Sequence, residues 1–213
     1  MNPAGYDAWY ATRRGRWIGE TEYALVARLL DARPGDSLLD VGCGTGWFTR
    51  RAAADALVAT GLDPNPGWLD YARTHSSPAL RWVEGDARDL PFADASFDHV
   101  LSIAALCFVD DERQAVAEIV RVARRRFAIG WLNRSSLLYQ KKGKQGGGGA
   151  YQGARWHTVR EVRTLFSGLP VRNLTVRSAV FLPSGTSWAR LLEQAAPAGL
   201  PWGGLLVVQG DKA

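Results

Sequence analysis

Apolar positions along this chain follow two spacings in turn. Leu38-Leu39-Asp40-Val41 reads as a buried strand, and a segment with helical spacing follows over residues 46–54. Ala56 to Leu62 predicts a second strand, residues 67–74 a helix, and residues 80–84 a third strand. The run Ser96–Leu106 carries a fourth strand and its exit. Asp110-Asp111-Glu112 makes a helix start, with Val116, Ile119 and Val120 on the core face. Phe127 to Leu132 is the fifth apolar run. Strands alternating with helices from 38 to 132 imply βαβ units and a parallel sheet.

The flanks read differently. Residues 6–30 predict a helix in two pieces, with Tyr6, Trp9 and Tyr10 on one face and Gly15 as the break. After residue 132 comes a long polar stretch, 133–157, that contains Gly146-Gly147-Gly148-Gly149. A loop of that length in a compact domain is usually functional or mobile, and the glycines predict a mobile lid. Thr158 then predicts a helix N-cap, completed by Glu161 at N3. His157 beside it reads as structural. A strand over residues 171–182, a helix over 187–195 and a strand over 205–209 close the chain.

The chain has 213 residues, 46% of them hydrophobic, which suits one domain with a sizeable core. The parts expected are an N-terminal helical lid over 1–32, a binding core over 36–132, the loop 133–157 and a sheet-closing part over 158–213. Net charge is +5, concentrated in Arg121, Arg124, Arg125 and Arg126 and in Lys141, Lys142 and Lys144. That is a solvated helix end and a loop rather than a nucleic-acid-binding face. The two cysteines, Cys43 and Cys107, sit in apolar or glycine-rich surroundings, so no structural disulfide is expected. No signal peptide is apparent and no apolar run nears the ~20 residues that span a bilayer, so a cytoplasmic protein off the membrane is expected. His75, His99 and His157 have no metal-ligand spacing. No nucleophile–base signature such as G-x-S-x-G occurs, and no catalytic base is named.

The chemistry concentrates at Gly42-Cys43-Gly44-Thr45-Gly46, just after the buried Asp40. Glycines there let the backbone approach a ligand, and the following helix start offers unpaired N–H groups. A dinucleotide fingerprint needs a third glycine where this chain has Trp47, and no Walker loop is present. Asp63 ends the second strand 21 positions beyond Gly42, where its two oxygens suit adjacent ribose hydroxyls.

The nonamer Leu38–Gly46 closely resembles motif I of the class I S-adenosylmethionine-dependent methyltransferases, and within them the small-molecule, type 11 group. Gly85-Asp86-Ala87 with Leu90-Pro91-Phe92 is similar to that family's G-D-A-x-x-L-P-F segment, and Phe97-Asp98 to Leu106 to its F-D-x-V-x-S-x-x-A-L pattern. The resemblance reaches over most of the chain, but its specific motifs occupy only 38–106. It implies a Rossmann-like, seven-stranded, mostly parallel sheet with helices on both faces and an antiparallel C-terminal hairpin. It implies that Asp40, Gly42, Cys43, Gly44 and Gly46 form the cofactor loop. Asp63 would take the ribose, Pro64 one adenine face, and Asp86 and the Ala87 N–H the adenine edge. Ser102 and Ile103 would border the methionine and sulfonium end.

Cys107-Phe108 departs from the His-aromatic pair frequent at that point, which removes any acid–base role for a histidine there. The N-terminal helices would form a lid, and Tyr6, Trp9, Tyr10, Trp17, Tyr151 and Trp156 an aromatic acceptor pocket. The implied donor is S-adenosylmethionine, which leaves S-adenosylhomocysteine as product, and the implied partner is a small-molecule acceptor. The chain is expected as a monomer or homodimer.

Three other readings compete. One is a binding or regulatory module of the same fold without transferase activity. A second is a nicotinamide oxidoreductase, opposed by Trp47 and by the lack of a recognisable catalytic pair. The third is an RNA methyltransferase. The base-methylating motif N/D-P-P-Y/F is absent, and Ser102-Ile103-Ala104-Ala105 stands in its place.

Overall fold

The computed structural model describes residues 2–144, 147–197 and 199–213. Its centre is a seven-stranded sheet in the order β3-β2-β1-β4-β5-β7-β6. The strands are β1 (Ser37–Val41), β2 (Val58–Asp63), β3 (Arg81–Glu84), β4 (Phe97–Ile103), β5 (Ala123–Leu132), β6 (Val171–Ala179) and β7 (Leu205–Lys212). The first five run parallel; β7 lies antiparallel between β5 and β6. Strand order reverses between β1 and β4, and in such sheets ligands bind outside the strand C-termini at that reversal.

Eight helices cover the sheet among the described residues: α1 (Pro3–Ala11), α2 (Arg13–Leu30), α3 (Trp47–Ala54), α4 (Pro66–Thr74), α5 (Glu112–Val122), α6 (Leu137–Lys142), α7 (Val159–Thr164) and α8 (Ser187–Ala195). Two apolar layers result. One gathers Val116, Ile119, Phe127, Ile129, Trp131 and Phe166 beneath α5 and α7. The other gathers Tyr10, Val26, Leu30, Leu38, Phe48 and Leu101 beneath α2 and α3.

Three boundaries depart from the sequence expectation. The N-terminal helices break at Thr12, not Gly15. The Thr12 backbone is extended, and its side chain accepts from the Gly15 N–H at 3.0 Å, so Thr12 caps α2. Gly15 lies inside α2 for another reason: a Cβ there would stand 2.0 Å from the Trp9 carbonyl oxygen.

Second, Arg124, Arg125 and Arg126 belong to β5 and not to a helix end. Each meets a carboxylate from a neighbouring strand or loop. Arg124 pairs with Asp98 at 3.0 Å, Arg125 with Asp36 at 3.3 Å and Arg126 with Asp211 at 2.8 Å.

Third, residues 133–157 include a helix, α6, and a 3-10 turn over Gly149–Tyr151. Ser136 caps α6, and the buried Asn133 donates to the carbonyls of Pro201 and Gly203 at 2.8 and 2.7 Å. The far end is tied down too. Arg155 N donates to the Cys107 carbonyl, and His157 Nε2 stands 2.8 Å from Glu112 Oε2. Gly146 lies outside the described residues. The capping box at Thr158 and Glu161 is present, and Arg134 ion-pairs with the same Glu161.

Candidate cofactor and acceptor site

The glycine loop leaves β1 and enters α3 with Gly42, Gly44 and Gly46 at φ of 75°, 55° and 79°. Gly46 has no alternative. Its φ disfavours any side chain, and a Cβ would stand 2.2 Å from the Trp82 ring. Trp82, on β3, thereby packs the loop from below, a role its place in a short strand did not announce.

Asp40 is 2% exposed and accepts from Thr49 Oγ1 at 2.6 Å. Burial pushes its carboxyl up to about 7, with the charge of Asp63 adding to the shift. Thr49 sits one helical turn into α3 and was missed in the sequence, where nothing distinguishes it from a helix-surface threonine. Cys43 is 7% exposed, and burial raises its thiol well above the ordinary range. It fills space beside Gly61 and carries no reactive thiolate.

Asp63 ends β2 and accepts from Gly44 N–H at 2.9 Å through one oxygen and from Asn65 N–H at 2.9 Å through the other. Each oxygen retains a lone pair for a further donor. It is not the N-cap of α4; Asn65 is, accepting from Gly67 and Trp68. Pro64 beside it is exposed.

Asp86 stands after β3 and accepts from Arg88 N at 2.8 Å and from Arg88 Nη2 at 2.6 Å. These bonds lower its carboxyl below the usual range. The adjacent Ala87 is buried, and its N–H finds no acceptor among the described residues. Ser102 and Ile103 end β4, with Ser102 Oγ and Thr45 Oγ1 buried and without a partner among the described residues. A loop lined by glycine, a half-committed carboxylate, a free N–H and orphaned hydroxyls fits a nucleoside with a charged amino-acid tail.

The α1 helix closes over this loop. Arg50 of α3 donates to the Thr45 carbonyl at 2.6 Å and pairs with Asp7 of α1 at 2.8 Å. Tyr10 stacks on Trp47 with ring centroids 4.6 Å apart, and Trp9 meets Tyr10 edge-on at 4.9 Å. Tyr6 meets Trp68 of α4 edge-on at 5.1 Å, and its hydroxyl lies 3.4 Å from that of Tyr10. The indole that opposes a dinucleotide reading is thus the surface on which α1 packs.

Trp17 is half-buried near Gly185. Tyr151 is half-buried too, and burial with the charge of Glu22 pushes its phenol up to about 12. Trp156 belongs to the core: it is 8% exposed and packs against Tyr139 and Tyr151. Asp7, Thr49, Arg50 and Arg88 are the site residues that sequence reasoning missed. Only Arg50 follows the loop closely enough to have offered a signal.

No group of three potential metal ligands forms among the described residues. None of the described helices is long and apolar enough to cross a membrane.

Fold and site together define an α/β domain built to hold a nucleoside at the β1–β4 reversal. Residues 39–126 match the family model described as a methyltransferase domain. The chain is 35% identical to an uncharacterized protein of Mycobacterium tuberculosis over 212 residues, covering 94% of this chain and 68% of that protein. It is 43% identical over 100 residues to a malonyl-[acyl-carrier protein] O-methyltransferase of Erwinia pyrifoliae, covering 46% of this chain and 38% of that enzyme. A Thermotoga maritima structure described as a SAM-dependent methyltransferase, possible histamine N-methyltransferase, superposes with a TM-score of 0.78. It is 24% identical, with 99% of this chain and 96% of that one covered. The chain belongs to the class I S-adenosylmethionine-dependent methyltransferases. It spans well under half of the length of the acyl-carrier-protein methyltransferase it matches.

Proposed function

We propose that this chain transfers the methyl group of S-adenosylmethionine to a small-molecule acceptor held under α1 and the 133–157 segment. S-adenosylmethionine, when bound, supplies a methyl group made electrophilic by its sulfonium. The protein's part is mainly alignment, which can lower a barrier by about 7–11 kcal/mol. In this reading Gly42–Gly46 receive the tail, Asp63 the ribose hydroxyls, and the Ala87 N–H a ring nitrogen. Asp86 shares its carboxylate between Arg88 and the adenine amine. Ser102 and Ile103 line the reacting end.

The observation that carries the small-molecule reading is where the charge lies. Arg124, Arg125 and Arg126 start β5, at the strand edge opposite the glycine loop, and carboxylates neutralise all three. The edge over the glycine loop carries Tyr6 and Tyr10 of α1 packed on Trp68 and Trp47 instead.

Calorimetric titration with S-adenosylmethionine, S-adenosylhomocysteine and NAD tests the donor site. Micromolar binding of the two sulfur nucleosides without NAD is expected. Turnover of a short RNA but of no small molecule would overturn the acceptor class.

A further inference from the structure

Helix α8 shows to water the side that a surface helix usually buries. Its inward side carries Ala189, which is fully buried, and Glu193. The Glu193 carboxylate accepts from the N–H groups of Val180 and Phe181 at 2.8 and 2.9 Å. Its outward side carries Trp188, Leu191 and Leu192, which helical spacing places on one face. Trp188 is 74% exposed, and both leucines are about half exposed. The usual arrangement is the reverse, with the apolar stripe inward and the carboxylates outward.

The apolar face continues beyond α8. Val180 meets Glu193 through its N–H and the Gly204 N–H through its carbonyl, so the turn before β7 lies beside α8. Trp202 stands in that turn and is 58% exposed. The same turn abuts α6. Asn133 donates to the Gly203 carbonyl, and a Cβ on Gly204 would stand 3.1 Å from the Leu138 side chain. Leu137, next to Leu138, is about half exposed. Leu132, Leu205 and Ala179 are register partners here, which puts the face at the glycine-loop end of the sheet.

Cations border this face on two sides. Arg13, Arg14 and Arg16 open α2, and Arg14 donates to the Pro183 carbonyl just ahead of α8. Lys141, Lys142 and Lys144 lie at the end of α6. All six are exposed, and none has a carboxylate within ion-pairing distance among the described residues. Arg124, Arg125 and Arg126, at the other end of the sheet, each have one. The arginines of α2 also oppose the dipole of their own helix, whose first turn holds no acidic residue. Charge and packing here both lack a partner.

We propose that this face rests on an anionic lipid bilayer, lying on its surface without crossing it. Indoles and leucines flanked by lysine and arginine are the composition that settles in the headgroup region. Long basic side chains keep their charges at the lipid phosphates while the apolar groups enter. A second copy is a poorer occupant, because a two-fold pair would bring the same cations together. A nucleic acid would use the cations and the indoles but leave Leu191 and Leu192 in water. A folded acidic protein would need a pocket shaped to the projecting Trp188, whereas a bilayer yields around it.

The test uses the full chain and vesicles of phosphatidylcholine, with and without about one quarter phosphatidylglycerol. Co-sedimentation with the anionic vesicles is expected, with a blue shift of tryptophan emission as Trp188 and Trp202 leave water. Raising salt from ~0.1 M to ~1 M shortens the Debye length from ~10 to ~3 Å and should weaken binding at least tenfold. Trp188→Ser with Leu192→Ser should weaken it by about tenfold or more, whereas Trp188→Phe should keep it. Lys141→Glu with Lys142→Glu should also weaken it by about tenfold or more. Arg28→Glu with Arg33→Glu makes the same charge change at the far end of the sheet and should alter binding less than about twofold. Unchanged circular dichroism shows each variant folded.

Failure of the chain to sediment with anionic vesicles would overturn the proposal, as would equal binding by the Trp188→Ser, Leu192→Ser variant. An equal loss in the Arg28→Glu, Arg33→Glu variant would overturn it too, since net charge alone would then attract the lipid. Binding to polyglutamate or to a short RNA but to no vesicle would assign the face to a protein or a nucleic acid instead. A dimer that Trp188→Ser dissolves, without vesicle binding, would assign it to a second copy.

Discussion

Two carboxyls in this protein hold their protons near neutrality, Asp40 at about 7 and Glu22 at about 8. Burial is the leading cause in each, and both values lie above those of the unfolded chain. Such groups contribute stability at pH below their unfolded values, and that contribution is lost as pH rises through the folded ones. For Glu22 the window runs from about 4.5 to about 8. Glu22→Gln removes this contribution, so its melting temperature should exceed that of the unaltered chain by more at pH 8 than at pH 5. Calorimetric melting at both pH values checks this; a constant difference would mean that Glu22 is solvated. Asp63 answers to affinity instead of stability. Asp63→Ala should weaken S-adenosylmethionine binding by about 1–3 kcal/mol, the usual loss when polar partners are left unpaired. Unchanged affinity in a titration would remove Asp63 from the ribose site.

Among the elements, α1 is the one proposed to cover the bound nucleoside. It is nine residues long, and its docking uses Asp7, Tyr6 and Tyr10. Arg50 is the pivot, since one guanidinium holds both the loop carbonyl of Thr45 and Asp7. Arg50→Ala should raise the S-adenosylhomocysteine dissociation rate about tenfold, whereas Asp7→Asn, which spares the loop contact, should do less. Stopped-flow release measures both, and equal rates would mean that α1 does not cover the nucleoside.

The sequence showed these N-terminal helices only in outline. The aromatic stripe at 6, 9 and 10 was legible from its spacing. The break at Thr12 was not, because glycine is the stronger local signal and only the closeness of Trp9 explains Gly15. Trp156, expected at an acceptor pocket, is 8% exposed and packs against Tyr139 and Tyr151, contacts that its place in a polar stretch did not announce.

Across the whole molecule, the strand edge opposite the site is held by charge. His99 Nε2 lies 3.1 Å from Asp36, which also accepts from Arg33 N and Arg125. Burial lowers the His99 imidazole, with Asp36 opposing the shift, while Arg33 N–H and His99 hold Asp36 below its usual range. The folded chain therefore takes up the histidine proton later than the unfolded chain does. Stability from this source is lost as pH falls below about 6.5, the unfolded value. His99→Gln should flatten the loss in urea-unfolding free energy between pH 6.5 and 5.5. An unchanged slope would place the acid sensitivity elsewhere.

Local pattern determined much of this protein. The βαβ alternation, the loop at Gly42–Gly46, Asp63 at its strand end and the Thr158 cap each depend on residues near in the chain. Short-range spacing states such features directly. Tertiary structure alone decided the rest. It extended β5 through three arginines because Asp98, Asp36 and Asp211 come from distant segments to neutralise them. It joined Asp7 to Arg50, and it stacked Tyr10 of α1 on Trp47. These depend on charges and packing between residues far apart in the chain, and no local period encodes which distant partner arrives.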